Sequence, residues 1–305
     1  MKKKFELANL SKNLLYCVCF SICALNLTAC DDDDENGTQG NGPAPIGIPS
    51  SVVDGVRATS MSGVDVTYNE DGTIKEAEVD GNTLVFNYAS SRAIKVDPIR
   101  SLISITSSER ESERWIASDF AFNTSGFVTA YKLKYTDPDF REEMNIAYTF
   151  NYNADGQMQK ISMKTEGKDD EGSYSESGEI NYTYNNKVLE KIEAKSKNVT
   201  CSQTYEYTQA IKNTYNAMPL LLLPEELASD DCVFNVFAIT GYLGNAGANL
   251  PTAMTIKNTD LEDPSENSTE RYNLSYTLNE NKAISSYTLS RYGETMTFPC
   301  DWTNF

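Results

Sequence analysis

From Val64 onward the chain alternates. VDVTY (Val64–Tyr68) puts an apolar or aromatic group at every second residue, Asn69-Glu70-Asp71-Gly72 breaks the run, and TIKEAEV follows to Val79. Asp80-Gly81 then separates it from NTLVFNY. A period of two belongs to a half-buried strand. Asp-Gly between two such runs predicts a hairpin closed by a primed turn, whose residues must tolerate positive φ. The phrase returns in FAFNTSGFVTAYKL at Phe120, FNYNADGQMQKISM at Phe150, YTYNNKVLEKIEAK at Tyr182 and, more faintly, LSYTLNENKAISSYTL at Leu274. Each copy is a short aromatic strand, usually ending in Asn, then a turn and an alternating strand. Spacing is irregular, so the unit reads as a repeated hairpin and not as a strict solenoid. The predicted class is mainly β: a long antiparallel meander forming a curled or barrel-like soluble sheet.

One stretch departs from this pattern. YTQAIKNTYNAMPLLLLPEEL, Tyr207 to Leu227, predicts one or two short helices around 208–228. One would span Thr208–Ala217, stopped by Pro219, and another would start at Pro224. GYLGNAGANLP, Gly241 to Pro251, reads as a glycine-rich loop before the last strands. A helix over one end or face of the sheet is the economical arrangement. The chain ends in Phe305, as many outer-membrane barrels do, but the strands carry charge on both faces. Lys75, Glu76 and Glu78 share one strand, and Lys187, Glu190, Lys191, Glu193 and Lys195 crowd another. A lipid-facing wall would have to be apolar.

The N-terminus changes the picture of where the domain sits. Lys2, Lys3, Lys4 and Lys12 precede an apolar run, Leu14 to Leu27, that is too short for a comfortable transmembrane helix. It ends Leu27-Thr28-Ala29-Cys30, which looks like a lipobox. Residues 1–29 are therefore read as a lipoprotein signal peptide and Cys30 as the lipidated residue, with acyl chains as the membrane partner. Residues 30–50 are acidic and rich in Gly, Asn and Pro, and read as a flexible tether. About 20 such residues reach roughly 25 Å. Residues 51–305 are left as a single β domain.

Charge and missing residue types narrow the chemistry. The chain has 26 Lys and Arg against 44 Asp and Glu, a net charge of −18. Losing residues 1–29 makes it more acidic, and such a surface repels nucleic acid. Histidine is absent, which removes Ser-His-Asp triads, Cys-His dyads and His-ligated metals. No Walker A or dinucleotide fingerprint appears, and GYLGNAG lacks the Lys-Ser/Thr of a phosphate cradle. Neither a metal nor a cofactor is expected, and no catalytic residue stands out. Acid pairs such as Asp137/Asp139, Asp169/Asp170, Glu225/Glu226 and Asp230/Asp231 leave a carboxylate-based, glycosidase-like hydrolase as an alternative. Outside the cytoplasm Cys201, Cys232 and Cys300 permit one disulfide, with three pairings open. Of the aromatic residues, Trp115 and Trp302 are the candidate exposed ligand contacts.

The lipobox, the acidic run Asp31, Asp32, Asp33, Asp34 and Glu35, the Tyr-Asn-x-Asp-Gly hairpins at Tyr68 and Tyr152, and Gly241–Pro251 occur together. In this the chain resembles uncharacterised lipoproteins of Bacteroidetes-type bacteria that carry a domain of unknown function with a porin-like fold. Its hairpins also resemble the tyrosine-aspartate repeats of secreted shell-forming proteins, without their regular spacing. The first resemblance implies a long antiparallel sheet, curled or partly closed, and no activity. It also implies that Asp31–Glu35 is an export signal to the outer face of the outer membrane. The alternatives for that run are a solvated spacer or inner-membrane retention, which would leave the periplasmic face as the location. The expected function is a non-enzymatic, lipid-anchored envelope protein that binds an unknown glycan or protein. The alternatives are the hydrolase and a structural or apolar-ligand carrier.

Overall fold

The computed structural model describes residues 49–304 apart from 80–81, 91–92, 102–113, 138–141, 169–171, 198 and 220–231. The strands are β1 Val56–Met61, β2 Val64–Tyr68, β3 Ile74–Val79, β4 Asn82–Ser90, β5 Ala93–Ser101, β6 Arg114–Phe122, β7 Val128–Asp137, β8 Glu142–Tyr152 and β9 Met158–Lys168. They continue with β10 Ser173–Asn185, β11 Val188–Lys195, β12 Val199–Glu206 and β13 Ile211–Lys212, then helix α1 Cys232–Ile239. After it come β14 Asn249–Leu250, β15 Ala253–Asp260, β16 Ser268–Leu278, β17 Ile284–Arg291 and β18 Glu294–Asn304. All but β13 and β14 form one antiparallel meander that closes into a barrel, because β1 pairs with both β2 and β18. Closure removes the two sheet edges that an open meander would leave unpaired. Between β5 and β6 the described pairing is Val96 with Ala117.

The period-two pattern decides which face turns in. Phe150, Ile161, Ile180, Ala194 and Cys201 lie in one cross-strand row of β8–β12, and all five are buried. Their strand neighbours face out and carry charge. Lys160 pairs with Glu179 at 2.5 Å, Lys134 with Glu143 at 2.6 Å and Lys191 with Glu193 at 2.8 Å. An outer wall of exposed ion pairs cannot lie against hydrocarbon.

The repeated phrase is one turn built several times at one end of the barrel. Asn69, Asn123, Asn153 and Asn279 each donate their backbone N–H to the carbonyl four residues on, at 2.8–2.9 Å. Asn123 and Asn153 also accept, through Oδ1, the N–H groups two and four residues later, all at 3.0 Å. The expected two-residue primed turn at Asp71-Gly72 is therefore corrected to a longer turn with one positive φ, at Gly72 (78°). Among the copies of the phrase, the Tyr182 copy makes the short form, at Asn186-Lys187, with φ of 48° and 66°. The Asn side chain satisfies turn N–H groups that would otherwise lack partners, which is why the phrase carries Asn as well as Gly. Tyrosines just before these turns bind backbone carbonyls with their hydroxyls, Tyr68 to Ala58 at 2.6 Å and Tyr152 to Val128 at 2.7 Å.

The helix prediction needs correcting in position. Residues 208–217 form no helix; they contain β13, and Asn213 braces the turn through Nδ2 to the Ala217 carbonyl and Oδ1 from the Ala217 N–H, both at 2.8 Å. The second predicted start, Pro224, lies outside the described residues. The α-helix among the described residues is α1, CVFNVFAI, whose residues Val233–Ile239 are all buried. Apolar residues on every side of a helix require burial all round, and this one sits inside the barrel. Phe237 is its hub, with ring centroids 5.4 Å from Tyr242, 5.5 Å from Phe120, 6.2 Å from Phe86, 6.3 Å from Tyr131 and 6.4 Å from Phe122.

The glycine-rich loop after α1 seals the end that bears the Asn turns. The Tyr242 carbonyl accepts from Val128 N–H at 2.9 Å, and Asn245 N–H donates to the Gly156 carbonyl at 2.8 Å. A Cβ on Gly244 would lie 2.5 Å from the Gly156 oxygen and 2.7 Å from the Tyr152 ring. The segment Pro49–Ser51 closes the same end, with Ser50 N–H bonded to the Ser125 carbonyl and Ser51 Oγ to the Gly241 carbonyl. Arg57, buried, ties these parts together. Its guanidinium donates to the Gly72 carbonyl and, at 3.3 Å, to the Thr240 carbonyl, and lies 4.4 Å from the Tyr68 ring centroid.

Candidate functional site

The other end of the barrel has an uneven rim. The β15–β16 ladder runs up to Asn258 and Ser268, whereas β16 pairs with β17 only from Asn273 and Ser290 downward. The β15–β16 hairpin therefore stands above the β17–β18 hairpin. Where the step occurs, three inward side chains meet. Tyr272 donates its hydroxyl to Glu270 Oε2 at 2.6 Å, Arg291 donates to the Tyr272 oxygen at 2.8 Å, and Arg291 pairs with Glu270. This is the least exposed of the described ion pairs, with side chains 17% and 19% accessible. Burial first, and then the bond to Glu270, hold the Tyr272 hydroxyl well above its ordinary pKa, so it remains a donor.

The β17–β18 hairpin turns on two residues, Tyr292 (φ 51°) and Gly293 (φ 83°), closed by the pair Arg291–Glu294. This is the primed turn that Asn-Gly or Asp-Gly would ordinarily fill. Here a tyrosine occupies the first position and is 84% exposed, with the Arg291 guanidinium 4.9 Å from its ring centroid. Tyr292, Arg291, Tyr272 and Glu270 thus form a continuous chain of contacts from the hairpin tip to the inner wall. None of them was singled out from the sequence. The signal was present in SRYGET, where a bulky aromatic precedes Gly between two strands.

Glu176, on β10, also faces inward. Burial raises its pKa, against a smaller downward pull from Lys197. Among the described residues no second carboxylate bears on it, and Asp139, Asp169, Asp170, Glu225, Glu226, Asp230 and Asp231 lie outside them. Asp137 ends β7. A carboxylate whose folded pKa is raised contributes stability when protonated and loses it as pH rises through that pKa. Glu176→Gln is therefore expected to melt above the wild type at pH 7. The gap should close below about pH 4, as read by thermal melts at both pH values.

The sequence candidates fall elsewhere. Cys30 and Asp31–Glu35 lie outside the described residues. Cys201 and Cys300 are buried on β12 and β18, Cys232 begins α1, and no disulfide joins the three. Burial pushes the Cys300 thiol up to about 12. Trp302 is half-buried, packs near Tyr215 and donates its indole N–H to the Ile284 carbonyl at 2.7 Å. Trp115 sits on β6 opposite Tyr135, and its side chain is outside the described set. Among the described residues no acid or cysteine cluster has the arrangement of a metal site. An enclosed apolar space lined by Met158, Tyr182, Leu189, Met218 and Leu243 measures only ≈ 10 Å³, about room for one water. A lipid does not fit there.

Comparison with known proteins agrees with this architecture. A family described as a domain of unknown function with porin-like fold matches residues 74–286. A porin-like protein from Bacteroides vulgatus ATCC 8482 superposes with a TM-score of 0.54 at 12% identity, covering 81% of this chain and 99% of that one. A second, from Bacteroides uniformis ATCC 8492, gives 0.49 at 16% identity, covering 82% and 96%. At 12% identity the first likeness concerns fold alone. No curated protein matches the chain.

Proposed function

The chain belongs to the family of domains of unknown function with porin-like fold, and from that premise we propose that it is a lipid-tethered binding module of the cell envelope and not a channel. The observation that carries this reading is the inversion of the barrel wall. A transmembrane pore has apolar residues outside and a polar lumen. This barrel has ion pairs outside and buried aromatic residues, with a helix, inside. Transport through such a core would require unfolding it. What remains available to a partner is the outer wall and the rim.

The lipobox at Leu27–Cys30 supplies the anchor. The chain enters the barrel at Pro49–Ser51, on the sealed end, so the anchor pulls on that end. The uneven rim with Tyr292 is the end left facing away from the membrane. The acidic run after Cys30 is read as the export signal that puts this rim outside the cell.

Protease shaving of intact cells tests the reading. Native protein is expected to be cleaved, and protein with Asp31–Asp34 replaced by Ala to be protected until the outer membrane is opened. Cys30→Ala is expected to leave the membrane fraction. Native protein that is protected on intact cells, or Cys30→Ala that stays membrane-bound, would overturn it.

A further inference from the structure

Tyr292 is the most exposed large hydrophobic side chain among the described residues. It is also the only aromatic among the described non-glycine residues with positive φ. Either feature alone is unremarked in many hairpins; together they are informative. A bulky residue at positive φ is a genuine conformational outlier, and a strained residue held at the surface points to a role outside the fold. Asn, Asp or Gly would close the same turn without strain.

The surroundings say what such a ring can hold. One side of the ring is backed by Arg291, which Glu270 and Tyr272 fix in place. The flanking residues on the tip are Gly293 and the exposed Glu294. A protein hot spot needs apolar neighbours that shut out water over a broad patch, and this tip has one ring among polar groups. A pyranose needs the opposite: one flat apolar face to receive its C–H groups, with charged hydrogen-bonding groups beside it to meet its hydroxyls. Glu294 at the tip, and Glu270 bonded to Arg291, add negative charge that disfavours an acidic sugar.

We infer that the Tyr292 tip, braced by Arg291, is a stacking platform for a neutral pyranose ring of a glycan. This inference rests on the binding-module reading and names its site and ligand class. Hydrogen bonds accepted by Glu294, and donated by any part of the Arg291 fork that the ligand reaches, would set the orientation of the sugar.

The test uses the whole chain in a sugar-free detergent. Neutral hexasaccharides of glucose, mannose, xylose and N-acetylglucosamine are titrated at millimolar concentration by calorimetry. At least one is expected to bind. Tyr292→Phe is expected to retain binding, because stacking needs only the ring. Tyr292→Asn is expected to raise Kd at least tenfold while its melting temperature does not fall, because Asn suits the turn. A purely structural tyrosine would not separate binding from stability in this way. Binding that Tyr292→Asn keeps would refute the site and leave the module reading intact. No binding of any of the four by the wild type would refute the sugar class, and the module reading would then stand or fall on the shaving result alone.

Discussion

Phe237→Ala is expected to lower the unfolding free energy by about 3–5 kcal/mol, the usual range for removing a buried phenyl ring. The expectation follows from where α1 sits. A barrel of 16–18 strands encloses more space than its own side chains can fill, which is why porins of that size hold water. Here that space is occupied by α1 and the loop after it, and Phe237, 1% exposed, is the point at which they engage the wall. Its ring meets Phe120, Phe122, Phe86 and Tyr131 on the wall and Tyr242 on the loop. Aromatic contacts of this kind add to the area they bury. The wall cannot collapse onto the gap, because its radius is set by the pairing around the ring, so the lost volume should persist as a cavity. Denaturant unfolding followed by tyrosine fluorescence would read the change. A loss below about 1 kcal/mol would mean that α1 does not hold the barrel's interior as described, since Phe→Ala in a packed core costs several times that.

Much of this fold was legible in the sequence, and the reason is local. A strand half buried in a barrel writes its period into five or six residues, as in Val64–Tyr68 and Ile74–Val79. The Asn turns are equally local, since one side chain and one glycine satisfy them. The helix expected over Thr208–Ala217 is absent: that stretch has acceptable helix formers, but the residues that decide its shape are distant, since Ile211 pairs with Leu250 and Asn213 also bonds the Gly247 carbonyl at 3.1 Å. CVFNVFAI gives no amphipathic signal, because an all-round apolar segment has no face to reveal. The rim site was hidden for the same reason. Glu270 and Arg291 are 21 residues apart and meet only through register. Tyr292 was legible in principle, as an aromatic standing where a turn calls for Asn.

Arg57→Ala should cost about 3–5 kcal/mol, the range seen when one member of a buried polar network is removed. Among the described residues no carboxylate pairs with Arg57, although it is only 2% exposed. Its charge is met instead by two carbonyl oxygens and two aromatic faces: Gly72 and Thr240, Tyr68 at 4.4 Å and Tyr242 at 5.7 Å. Thr240 follows the last turn of α1, where the helix dipole is negative and a cation is favoured. Arg57 therefore links β1 and the first Asn turn to the end of the plug, 183 residues away in sequence. Truncation strands both carbonyls at about 1–3 kcal/mol each and empties the space between the tyrosines. Arg57→Met separates the two costs. It fills the space but donates nothing, so it should recover the cavity part and leave the carbonyl part. Arg57→Lys keeps the charge but lacks the planar fork that reaches both oxygens, and should fall between wild type and Met. If Met and wild type were equally stable by denaturant unfolding, the carbonyls would be finding other donors, and Arg57 would be a filler of the sealed end rather than the group that fastens it.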